Sequence, residues 1–345
     1  MLPLEGKSVS MVPGDQPHQP SLVGTSIPQP STGALPPHRD GGAATDTERT
    51  LASLQQIDPH PLYTMTFYGD YAIDEAPPTG NLPTNATPWA CSLFALFADP
   101  TASLYGRNFD WDHHPALLLF THPPGRYAAV SMVDISYLGI DHTNLDTLTT
   151  LAGREALLRA PLLPFDGMNE YGLTIAMAAV PNTTLPNNPA MPTIGSLRII
   201  RHMLDQARDT QEALAIFEHY NIDFSGGPPI HYLIADRGGH AAVVELKDGT
   251  TQITRSEGVW QATTNFYIAG TSEAERMQDW RYAAIATALQ RQPTLTSEDA
   301  LKLLSKVAQP HTRWSIVYEM ANGNIRIAMD RKFDQVYSFH LKKQP

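Results

Sequence analysis

From about residue 60 onward the chain is a series of short apolar runs separated by polar punctuation, and the spacing within those runs changes along its length. Leu62–Tyr68 is dense in aromatic and β-branched side chains, the composition of a strand. Cys91–Ala98 is an almost unbroken apolar run. After a turn at Asp99-Pro100 comes a second run that ends in Arg107, Asn108 and Asp110. Two antiparallel strands joined there would carry an arginine and a carboxylate back beside the start of the first strand. Strands are also predicted at Ala116–Thr121, Tyr127–Ile135 and Leu173–Val180, and a helix at Leu145–Leu158. Apolar residues at helical spacing mark Ser196–Ala207 and Gln211–Tyr220, the second opened by an Asp209…Glu212 capping pair. His231–Ala235, Ala241–Leu246 and Gln252–Arg255 read as a meander turned at Gly238-Gly239 and Asp248-Gly249. Trp260–Phe266 is a further strand. Ser272…Glu275 caps a helix that continues to Arg291, and another helix spans Glu298–Val307. Trp314–Met320 and Ile325–Met329 pair across Asn322-Gly323. Strands thus come in antiparallel groups with helices in pairs between them. This order is α+β and suits two sheets packed face to face with helices outside.

The start of the chain breaks the pattern. Residues 1–50 are rich in Pro, Gly, Ser and Thr without apolar periodicity, so a disordered tail is expected there. A short amphipathic helix is plausible over Thr47–Gln56. Residues 51–90 are expected to form a propeptide or a small segment packed on the body, and residues 91–345 the main domain. Pro77-Pro78-Thr79-Gly80 through Pro88 reads as a loop leading directly to Ala90-Cys91. The 42% apolar fraction is enough for a sizeable core. The net charge of −11, from 24 basic and 35 acidic residues without a Lys/Arg cluster, argues against binding a phosphate backbone. It also gives little attraction to acidic membranes. No run approaches the eighteen or so apolar residues a spanning helix needs. Lys7 is not followed by an apolar core, so no secretory signal is visible, which favours a cytoplasmic location.

Candidate chemistry concentrates at Cys91, the one cysteine of the sequence. A lone cysteine is either a buried small hydrophobe or a reactive thiol. A cation and a hydrogen-bonding acid beside it favour the thiolate. Asp112, His113 and His114 raise the question of a metal. Adjacent histidines on a strand face opposite sides, and no distant His or Cys set completes a ligand shell.

Cys91 followed by Gly106-Arg107-Asn108-Phe109-Asp110-Trp111 resembles the mature amino terminus of the N-terminal-nucleophile cysteine amidases. That group includes choloylglycine hydrolases, penicillin V acylases and the acid ceramidase and N-acylethanolamine amidase relatives. Further pieces match in order: Asp166–Leu173, Thr264-Asn265, Trp280-Arg281-Tyr282 and Thr312–Tyr318. The resemblance covers roughly residues 60–345. It departs at Ala179, where bile-salt and penicillin acylases often carry an asparagine.

The resemblance implies a four-layer αββα sandwich and hydrolysis of a linear amide in a small N-acylated amine or amino acid, with no cofactor and no metal. It implies autoproteolysis between Ala90 and Cys91, so that the freed α-amine serves as base for the thiol on the same residue. Arg107 would hold the thiolate, Asp110 would orient the ammonium, and Asn265 would donate to the oxyanion. Arg281 would support this network or the substrate, or be a surface helix arginine. Asn169 and Gly172 read as turn-formers. An acyltransferase using the same thioester, and a non-catalytic binding protein with an inert Cys91, are the competing functions.

Overall fold

The computed structural model of the protein describes residues 44–73, 90–112, 114–225 and 227–342. The expected loop at residues 77–88, the expected tail over residues 1–43, and His113 lie outside them.

Two sheets dominate. The larger runs, neighbour to neighbour, β1 (Gln55–Asp58), β2 (Leu62–Phe67), β5 (Ala116–Thr121), β6 (Ala129–Asp134), β7 (Asp166–Asn169), β8 (Thr174–Ala179), β11 (Ile230–Ala235), β12 (Ala241–Lys247) and β13 (Thr250–Arg255). The smaller runs β14 (Trp260–Thr263), β3 (Ala90–Leu96), β4 (Leu104–Asp110), β15 (Thr312–Glu319), β16 (Asn324–Met329) and β17 (Val336–His340). A short parallel pair, β9 (Thr193–Gly195) and β10 (Asn221–Asp223), stands apart. The pairings are antiparallel in both large sheets except β2 with β5.

The sheets face each other through β3 and β8. Strands β4, β6, β8 and β11 are buried along their whole length, as expected for strands covered on both faces. Helices α1 (Asp46–Ala52), α2 (Arg198–Gln206) and α3 (Thr210–Phe217) cover the outside of the larger sheet. Helices α5 (Trp280–Arg291) and α6 (Ser297–Lys306) cover the smaller. The layers are therefore αββα. Among the described residues no helix is long and apolar enough to cross a membrane.

Four local readings need correction. Helix α1 begins at Asp46, inside the expected tail, because Thr45 and Glu48 form a reciprocal capping box. The helix expected at Leu145–Leu158 is instead two 3₁₀ stretches, Leu145–Thr149 and Ala152–Leu162. There the hydroxyls of Thr147 and Thr149 bond to backbone carbonyls three residues back, competing with helical bonding. The helix expected from Ser272 to Arg291 is split into α4 (Glu273–Arg276) and α5, since the Asp279 side chain caps the Arg281 and Tyr282 amides and starts a new helix. The strand expected at Trp260–Phe266 stops at Thr263, leaving Asn265 in a loop.

The first described segment belongs to the body. Strands β1 and β2 extend the larger sheet, and α1 packs on β2. Arg154 donates to the Leu51 carbonyl at 2.7 Å, and Tyr337 OH donates to Asp58 at 2.6 Å.

Candidate active site

The turn at Asp99-Pro100 closes the β3–β4 pair in the register that the apolar pattern predicts. Ala90 lies opposite Asp110, and Cys91 opposite Phe109. Gly106 is required here, because a Cβ at that position would fall 2.4 Å from the Phe94 ring.

Cys91 is fully buried. Arg107 Nη2 approaches its Sγ at 3.6 Å. The other terminal nitrogen of Arg107 donates to Asp166 Oδ2 at 2.6 Å and to the Phe165 carbonyl at 2.7 Å. Asp166 also accepts from Tyr318 OH at 2.5 Å and from Trp314 Nε1 at 3.1 Å. The carboxylate is thus fixed by three side chains, and it holds the guanidinium with its free edge toward sulfur. A buried pair of this kind is valuable for geometry more than for net stability.

Asp110 Oδ1 accepts from Thr312 Oγ1 at 2.5 Å. Its Oδ2 is buried without a hydrogen-bond partner, and lies 4.0 Å from Arg281 Nη1. Burial pushes the Asp110 carboxyl up to about 7, against the Thr312 hydroxyl and the charges of Arg281 and Arg107. Burial also pushes the Cys91 thiol up; Arg107 opposes this rise and the Asp110 charge adds to it. Each ionisation therefore disfavours the other.

Asn265 meets Cys91 across the loop that follows β14. Its Oδ1 accepts from the Cys91 backbone N–H at 2.8 Å and from Arg281 Nη1 at 2.9 Å, while Nδ2 donates to the Ala179 carbonyl at 2.8 Å. The same Arg281 nitrogen donates to the Cys91 carbonyl at 2.8 Å. Arg281 is thus a buried member of the cluster and not a surface helix arginine. The break before α5 aims it inward. Position 179 contributes its backbone here, so the absence of an asparagine side chain does not leave Asn265 unanchored.

The five residues singled out in the sequence, Cys91, Arg107, Asp110, Asn265 and Arg281, converge, with Ala90 at the edge of the cluster. One detail differs from expectation. The Cys91 nitrogen is held by Asn265, and Asp110 makes its hydrogen bond to Thr312. Asn169 takes the structural role expected of it: Oδ1 accepts from the Tyr171 and Leu173 amides, and Nδ2 donates to the Leu204 and Ala207 carbonyls. Gly172 turns this corner at φ +81° with the Met320 carbonyl packed against it. Sequence reasoning gave no role to Asp166, Thr312, Trp314 or Tyr318. The signal was the period of two in Thr312–Tyr318, which puts Trp314 and Tyr318 on one face of a strand beside the buried arginine. Among the described residues no group of three or more His, Cys, Asp or Glu side chains could hold a metal ion.

A family model described as acyl-coenzyme A:6-aminopenicillanic acid acyl-transferase matches residues 163–335, half of the chain. The matched half contains Asn265 and Arg281, while Cys91, Arg107 and Asp110 precede it. Among solved structures, penicillin V acylase from Agrobacterium tumefaciens is 15% identical, with 73% of this chain and 86% of that chain covered and a TM-score of 0.54. A mutant of the conjugated bile acid hydrolase from Clostridium perfringens is 13% identical, with coverages of 74% and 93% and a TM-score of 0.53. No protein of curated function matches the sequence. The sandwich is that of the N-terminal-nucleophile hydrolases, choloylglycine hydrolase-like members included.

Proposed function

Because the chain belongs to the acyl-coenzyme A:6-aminopenicillanic acid acyl-transferase family, we propose that it is a cysteine amidase. In this reading it cuts itself between Ala90 and Cys91, then hydrolyses a small N-acylated amine or amino acid through a Cys91 thioester. The observation that carries the reading is the Arg107 guanidinium 3.6 Å from the buried sulfur, with Asn265 bonded to the nitrogen of the same residue. A structural cysteine needs neither.

In the cutting step, Cys91 Sγ attacks the Ala90 carbonyl carbon. The C–N bond breaks, the nitrogen takes a proton, and Ala90 is left as a thioester on sulfur. Water hydrolyses that thioester, releasing the Ala90 carboxylate and freeing both thiol and α-amine. On this reading residues up to 90 form one fragment and residues 91–345 the catalytic domain.

In turnover, the α-amine takes the thiol proton, and the thiolate attacks the substrate carbonyl. Arg107 supports the sulfur charge. The second Asn265 Nδ2–H meets the oxyanion, while Nδ2 stays tied to Ala179 and Oδ1 to the Cys91 nitrogen. Collapse expels the amine product, protonated by the Cys91 ammonium, and leaves an acyl thioester. Water activated by the amine then releases the acid. Arg281 fixes the Cys91 carbonyl and Asn265 together.

Acyl transfer is the second reading, favoured by the description of the matched family. There an amine in place of water would attack the thioester. Penicillin V, a conjugated bile acid and a series of acyl p-nitroanilides, each offered with and without an added amine, test both readings. Release of free acid supports hydrolysis, and diversion to a new amide supports transfer. Absence of any turnover by a self-cut protein would overturn both.

A further inference from the structure

Beside the loop that carries Asn265 lies a buried histidine–carboxylate pair. His231, on β11, and Glu245, on β12, are both fully buried, with His231 Nδ1 3.0 Å from Glu245 Oε1. His231 Nε2 lies 2.9 Å from the Thr264 carbonyl, and the Thr263 hydroxyl is a second neighbour at 3.2 Å. Glu245 in turn accepts the Ile268 amide at Oε1 and the Ala269 amide at Oε2, both at 2.7 Å. Against the upward push of burial, His231 and these amides hold the Glu245 carboxyl below its ordinary range. A carboxylate and a backbone carbonyl can only accept. The ring therefore bridges the Glu245 carboxylate and the loop, with one nitrogen facing each.

The geometry is a clamp. The pair comes from the larger sheet, yet it grips the loop after β14 of the smaller sheet on both sides of Asn265. Thr264 is held one residue before it, and Ile268 and Ala269 are held shortly after. A third tie from the larger sheet is the Ala179 carbonyl on Asn265 itself. A loop asparagine has little rigidity of its own, and an oxyanion donor acts only within a few tenths of an ångström of its place. We propose that His231 and Glu245 are positioning residues, which act on catalysis by fixing the loop that presents Asn265 to the thioester carbonyl. This rests on the amidase reading above and adds to it two residues outside the cluster.

The test is a double-mutant cycle of His231→Gln and Asn265→Ala, read as kcat and KM on the acyl p-nitroanilide turned over fastest. His231→Gln alone is expected to lower kcat roughly 10- to 100-fold with KM within about twofold, the effect of a displaced catalytic group. In the Asn265→Ala background it should add almost nothing, since the group it positions is gone. Equal losses in both backgrounds would mean a general structural role and overturn the inference while leaving the amidase reading intact. An Asn265→Ala protein with normal kcat would overturn the oxyanion assignment and this inference with it. If His231→Gln does not fold, Glu245→Gln carries the same cycle, because its single amide oxygen keeps one loop amide and releases the other. Full kcat in either soluble single variant would also overturn the proposal.

Discussion

After self-cleavage the segment ending at Ala90 is expected to stay on the body, and Tyr71→Phe is expected to loosen it by a measurable amount. Leu51, Leu54, Leu62, Tyr63, Met65, Phe67 and Tyr71 are all buried. At about 1.5–3 kcal/mol for each fully buried large side chain, they contribute roughly 10–20 kcal/mol as an upper bound. Joining two separate chains costs about 4–15 kcal/mol. The parallel β2–β5 ladder and buried polar ties add to the favourable side. The chief tie is Tyr71 OH, 2.7 and 2.8 Å from the two Asp205 oxygens. Burial raises the Tyr71 phenol well above its ordinary pKa, so it remains a donor throughout the working range. A hydrogen bond to a charged group contributes about 1.5–3 kcal/mol. Asp205 keeps Arg201 at 3.1 Å and Arg126 at 3.3 Å, so losing the hydroxyl does not strand it. The fragment's dissociation constant should rise roughly 10- to 100-fold. The assay is size-exclusion chromatography of the self-cut protein across a urea series. Wild type should elute as one species in native buffer, and Tyr71→Phe should release the fragment at lower urea with the extent of cutting unchanged. Wild type that loses the fragment in native buffer and stays fully active would refute the reasoning.

Cys91→Ala should abolish turnover and leave the chain uncut with little loss of stability, and Cys91→Ser should keep little activity; turnover by the alanine variant, measured on the same substrates, would remove Cys91 as nucleophile. Asn265→Ala should lower kcat roughly 10²- to 10³-fold with a smaller change in KM, whereas a change confined to KM would make it a binding residue. Asp110 has a carboxyl raised to about 7 that Thr312 stabilises in the ionised form. Removing that hydroxyl in Thr312→Val should move the acid limb of the kcat/KM profile upward by about one to two pH units; an unmoved limb would separate it from Asp110. Asp166→Asn removes the charge paired with buried Arg107, so thermal stability should fall by about 3–5 kcal/mol, and an unchanged melting curve would contradict the pairing.

The strand pattern was legible where alternation and burial agreed. The Cys91–Ala98 run, the Asp99-Pro100 turn and the Arg107–Asp110 corner sufficed to place a thiol, a guanidinium and a carboxylate together, because antiparallel pairing maps sequence distance onto space. The meander from His231 to Arg255 was equally visible. What escaped were contacts between sheets. Nothing local to His231 or Glu245 says that they meet across β11 and β12 to hold a loop of the other sheet, nor does Asp166 announce its place under Arg107. The break at Asp279 was hidden because helical spacing continues through it, and a side-chain cap overrides spacing. Thr147 and Thr149 similarly turned an apparent helix into 3₁₀ stretches.

Mass spectrometry of the purified protein under denaturing conditions tests the chemistry most directly. A catalytic chain that begins at Cys91 with a free α-amine, together with a partner ending at Ala90 and a single intact chain from Cys91→Ala, is the predicted result. An active wild-type protein in which Cys91 is still joined to Ala90 would contradict it.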